Sequence, residues 1–88
     1  MISDRVLAEC CTQEQLLEFN YAAHLKEQAY ALLRDPSPDV RRTALETYSY
    51  ALTLLDAWWR DARKTYPLPS GELLIDLSSG HFIARVCL

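Results

Sequence analysis

Cys10, Cys11, Cys87, His24 and His81 are the side chains of this chain soft enough to hold a transition metal or reactive enough to attack a carbonyl. A zinc site needs about four such ligands converging tetrahedrally, usually with a pair separated by two to four residues. No such pair exists, because Cys10 and Cys11 are adjacent and neighbouring helical side chains diverge by about 100°. Cys87 and His81 fall on one face of the last apolar run. Six residues of extended chain separate them by about 20 Å, which is out of hydrogen-bond reach for a nucleophile and its base. His24 lies on the polar side of a helical segment. The sequence therefore predicts no metal, no cofactor and no catalytic residue, and reads the thiols as structural.

The charged residues carry little more chemistry. Glu14 and Glu18 stand one turn apart near a helix start, where the backbone dipole favours negative charge. Asp76 is placed to meet Arg85 across a hairpin as a surface pair. Gly71 and Gly80 are the only glycines, so no glycine-rich phosphate loop can be built. Trp58-Trp59-Arg60-Asp61-Ala62-Arg63-Lys64 is the most suggestive run, combining the residue types favoured at binding hot spots. Both tryptophans fall in an apolar helical stripe, so they read as core first and as contacts second.

Composition narrows the classes further. The 88 residues are 50% apolar and 24% charged, which suits a folded single domain spanning 1–88. The net charge of −3 divides as −3 over residues 1–35, +1 over 36–66 and −1 over 67–88. No segment shows the basic excess that tracks a phosphate backbone. No run approaches the roughly 18 apolar residues of a membrane span, and Met1–Arg5 lacks the pattern of a secretory leader. The odd cysteine count without framework spacing predicts reduced thiols and a cytoplasmic setting.

The elements that must position these residues follow from period and punctuation. Ser3 is expected to cap a short helix over 1–11, with Val6, Leu7 and Cys10 on one side. Thr12 and Gln15 form a capping box that opens a helix over 13–34. Asp35-Pro36-Ser37-Pro38 ends it, and Ser37 with Pro38 starts a long helix over 38–66. Its stripe runs through Val40, Ala44, Tyr48, Ala51, Leu55, Trp58, Ala62 and Tyr66 at spacings of three and four. Pro67 and Pro69 stop it. Residues 72–88 alternate as two strands around Ser78-Ser79-Gly80, with Gly80 expected at positive φ. Leu73, Ile75 and Leu77 are expected to share an inner face with Phe82, Ala84, Val86 and Leu88. The predicted fold is α+β: a short N-terminal helix, a long antiparallel α-helical hairpin and a C-terminal two-stranded antiparallel β-hairpin.

Two surplus surfaces emerge. The apolar residues of the first long helix span roughly 200° of its circumference, more than one neighbour can cover. An isolated pair of strands is marginal in water and invites strand addition. The sequence thus predicts a non-enzymatic protein-interaction module, acting as a homodimer or as an adaptor or inhibitor of a larger protein. Tyr50, Leu74 and Ile83 are the expected interface residues, because the core does not explain their faces, and Arg60, Arg63 and Lys64 are expected rim charges. The alternative is a small nucleic-acid-associated regulator using Arg41, Arg42, Arg60, Arg63 and Lys64.

Overall fold

The computed structural model describes residues 2–87, in the order β1 (Ile2–Cys10), α1 (Gln13–Leu32), α2 (Pro38–Thr65), β2 (Leu73–Ile75) and β3 (His81–Cys87). The class is α+β, with an antiparallel helical hairpin standing on a three-stranded antiparallel sheet of order β1-β3-β2.

The N-terminal segment corrects the expected short helix over 1–11: it is a strand, pairing with β3 from Ile2↔Cys87 to Val6↔Ile83. The sheet consequently has three strands rather than two, and the expected β-hairpin is only part of it. The misreading has a local cause. A bulge between Val6 and Cys10 breaks the two-residue alternation. Val6, Leu7 and Cys10 keep the three-and-four spacing of a helix in the sequence, although Val6 is exposed and Leu7 buried on opposite faces of the strand. The strand state is decided by a partner at the far end of the chain, which β-propensity cannot register.

The helix starts obey local chemistry. Thr12 caps α1 with a complete capping box: its Oγ1 accepts from Gln15 N at 3.1 Å, and Gln15 Oε1 accepts from Thr12 N at 2.9 Å. Ser37 caps α2, with Pro38 in the first turn and Asp39 near the positive end of the dipole. Both helices end slightly earlier than the expected 34 and 66. Ala22 and Ala29 of α1 and Ala44, Ala51 and Ala62 of α2 are buried. Side chains this small let the two backbones approach closely.

The core lies at one end of the molecule, where the hairpin meets the inner face of the sheet. Phe82 is wholly buried, with ring centroids 5.3 Å from Tyr66, 5.9 Å from Trp59 and 6.0 Å from Trp58. Leu7, Cys11, Ala62 and Ala84 complete the buried cluster, and Leu16, Leu68, Leu73 and Ile75 pack against it. Gln15 stitches the helices together here. Its backbone carbonyl accepts from Trp58 Nε1 at 2.9 Å, and its side-chain oxygen accepts from Tyr66 OH at 2.6 Å.

The inner face is shorter than expected. Leu77 lies beyond β2 and is exposed, Val86 is exposed at the uncovered end of β3, and Leu88 lies outside the described residues. Gly80 takes the expected positive φ of 82°, but its turn is longer than three residues. Asp76 is occupied in that turn. Its carboxylate accepts from the Ser78 amide at 2.9 Å and hydroxyl at 2.6 Å, and these bonds, the hydroxyl's first, hold its pKa below the ordinary value. The strand register sets Asp76 opposite His81, so Arg85 pairs not with Asp76 but with the residues opposite it, Asp4 at 3.1 Å and Glu72 at 3.7 Å.

Candidate interaction groove

The two flanks of the helical hairpin differ. On one, aromatic rings bridge α1 and α2: Phe19 meets Trp58 and Trp59, and Tyr30 meets Tyr48 at 6.1 Å. On the other, no ring pair bridges them, and the bonds from Trp58 and Tyr66 to Gln15 cross only at the end nearest the sheet. There Glu18, Tyr21, Leu25, Gln28 and Leu32 of α1 follow spacings of three and four, and so form one wall. Val40, Thr43, Thr47, Tyr50, Leu54 and Ala57 of α2, with Asp61 beyond, form the other at the same spacings. Two open concavities of about 580 and 380 Å³ lie end to end between these walls. With a rise of 1.5 Å per residue, the α1 wall from Glu18 to Leu32 runs for about 21 Å and the α2 wall from Val40 to Asp61 for about 32 Å.

Its lining is mostly apolar, with large side chains left in water. Tyr21 is 62% exposed and Tyr50 57%, although both carry rings that bury large areas when partnered. Leu17 is exposed in the same concavity and Leu32 in the other. The buried Ala22, Ala29, Ala44 and Ala62 form the floor. Exposed apolar surface continuous over this length is unusual for a small soluble fold. The charged residues of the lining are Glu18, Asp39 and Asp61, all acidic. Asp39 pairs with Arg42 at 2.9 Å, whereas Glu18 and Asp61 form no ion pair among the described residues.

The residues singled out from sequence fall in three places. Tyr50 stands on the groove wall. Leu74 and Ile83 are directly opposed across β2 and β3, and Val6 extends their row onto β1, so three apolar side chains cross the outer face of the sheet. The rim charges disperse. Arg60 is bonded to Asp56 on its own helix. Arg63 donates to the carbonyls of Pro69 at 3.0 Å and Gly71 at 2.9 Å, clamping the chain that leaves α2. Lys64 is exposed on the last turn. The sequence reading missed Tyr21 and Leu17 as contacts; the signal was the over-wide apolar arc of α1, which did not say which part lacked a neighbour.

The chemistry-bearing side chains stay apart. His24 is exposed and bonded to Gln28, and His81 Nδ1 lies 3.1 Å from the Leu7 carbonyl. Cys10 is exposed with Sγ 3.1 Å from the Ser79 carbonyl, while Cys11 is buried. Burial, and then the neighbouring Cys10, push the Cys11 thiol above its ordinary pKa. Among the described residues no three His, Cys, Asp or Glu side chains converge as a metal site requires. No described helix is long and apolar enough to cross a membrane. Comparison with family models, with curated proteins and with solved structures finds no match.

Proposed function

We propose that this protein is a non-enzymatic interaction module that works as an adaptor or inhibitor by receiving a helix of a partner protein between α1 and α2. The open flank carries the reading: the hairpin is two-thirds of a three-helix bundle, with Tyr21 and Tyr50 standing in water where a third helix would cover them. Such helix-in-groove docking uses apolar anchors at i, i+3, i+4 and i+7. A reducing cytoplasmic setting belongs to the same reading, since the exposed Cys10 and buried Cys11 need no partner thiol.

The test is a titration of isotope-labelled protein with amphipathic helical peptides bearing such a leucine stripe, followed by NMR. Shift changes concentrated at Leu25, Tyr50, Leu54 and Ala57 are expected. Changes absent up to millimolar peptide, or scattered evenly over the surface, would overturn the assignment.

One observation favours a second reading, self-association through the sheet. The Val6–Ile83–Leu74 row is apolar and outward, and β1 has no neighbour on its outer edge among the described residues. Light scattering separates the two: a mass of twice 10.1 kDa that Leu74→Glu/Ile83→Glu abolishes would favour the sheet. The nucleic-acid alternative gains nothing comparable. Arg42 and Arg60 are paired with acids, and Arg41 and Arg63 are bonded to nearby carbonyls.

A further inference from the structure

The acidity of the groove says which helix would fit it. Resting on the docking function proposed above, we infer that the occupant is an amphipathic helix of a foreign protein whose apolar stripe is bordered by lysine and arginine. Three observations carry this. The walls, about 21 Å along α1 and about 32 Å along α2, match a helix of roughly 14 to 20 residues. Every charged residue in its lining is an acid, and no lysine or arginine lines it. Glu18 on one wall and Asp61 on the other lack an ion-pair partner among the described residues, so the end nearest the sheet presents unneutralised negative charge from both helices.

The same charges disfavour a second copy of this chain. Two grooves brought face to face about a two-fold axis along the hairpin would gather Glu18 and Asp61 of both copies at one end, and like charges across an interface are costly. Inserting another surface of a second copy into the groove instead would be a head-to-tail contact, which need not close and can propagate into open chains. A cationic foreign helix meets neither obstacle. Its lysines and arginines would lie at the rim, beside Glu18 and Asp61, while its apolar residues pack between Tyr21 and Tyr50. Rim charges of this kind mainly select the partner and speed its approach.

The experiment uses two synthetic 20-residue helical peptides with one leucine–alanine stripe, flanked by lysine in the first and by glutamate in the second. Calorimetric titration at low and at physiological salt should show the lysine peptide binding at least about tenfold tighter, with a preference that shrinks as salt screens it. Glu18→Lys/Asp61→Lys should reverse the order of the peptides. Tyr21→Ser/Tyr50→Ser should weaken both, whereas Leu45→Ser/Leu52→Ser should weaken neither. All four positions in these serine variants are exposed, so circular dichroism should report an intact fold. Equal binding of the two peptides, lost in the tyrosine variant, would overturn the charge selection and leave the docking function standing. Binding indifferent to the tyrosine variant, or absent for both peptides, would remove both.

Discussion

At the residue scale, Cys10 and Cys11 show how adjacent identical side chains acquire opposite properties. Cys10 reaches outward past the Gly80 turn, and Cys11 enters the core while its amide donates to the Gly80 carbonyl at 3.0 Å. Gly80 is held between them: a Cβ there would stand 3.3 Å from Cys10 Sγ and 3.3 Å from the Cys11 carbonyl. The thiolate is the form that attacks an alkylating reagent, and burial suppresses that form at Cys11. Iodoacetamide on the native protein is therefore expected to add one group to the tryptic fragment Val6–Lys26, and two only after denaturation. Rapid double addition on the folded protein would contradict the burial of Cys11. Nothing in the adjacency of two cysteines announced this division, because it depends on a turn some 70 positions away in sequence.

At the element scale, legibility followed the range of the interactions. The α1 start was readable because Thr12 and Gln15 satisfy each other within one turn, and the α2 start because Ser37 Oγ accepts from Val40 N while Pro38 fills a first-turn position that needs no N–H donor. The Trp58 and Trp59 stripe was readable because helical spacing alone marks its face. The β1 strand was not, since Val6 and Leu7 stand on opposite faces beside a bulge and the pairing partner lies in β3. The groove was half readable: Tyr50 stood out as an unexplained ring, but the choice of open flank depends on Phe19 and Tyr30 closing the other one. Gln15 joins cap and core, so the two cap residues differ in weight. Thr12→Ala should cost about 1 kcal/mol as an ordinary cap loss. Gln15→Ala also strips Tyr66 of its acceptor, and should cost roughly 1 kcal/mol more. Urea unfolding of the two variants checks the order; equal losses would mean that the Tyr66 bond contributes nothing net.

At the scale of the whole molecule, the radius of gyration is 15.2 Å, against about 12 Å for a compact chain of this length. The excess arises because the core sits at the sheet while the hairpin extends beyond it, giving overall dimensions of 45 × 33 × 21 Å. The helices meet each other through a short turn, but the sheet closes only when β1 finds β3, with Ile2 opposite Cys87. The first and last strands thus zip the polypeptide into a near-circle. Closing a loop of roughly 75 residues carries an entropic penalty of about 4 kcal/mol, which must be met before that pairing returns any contact. The helical hairpin should accordingly assemble early and the outer strand arrive late. Joining the ends through a short glycine–serine tether and reopening the chain at Pro36 would turn the most distant pairing into a neighbouring one. Stopped-flow refolding of that permutant should be faster than that of the parent, with the delay transferred to the docking of α1 on α2.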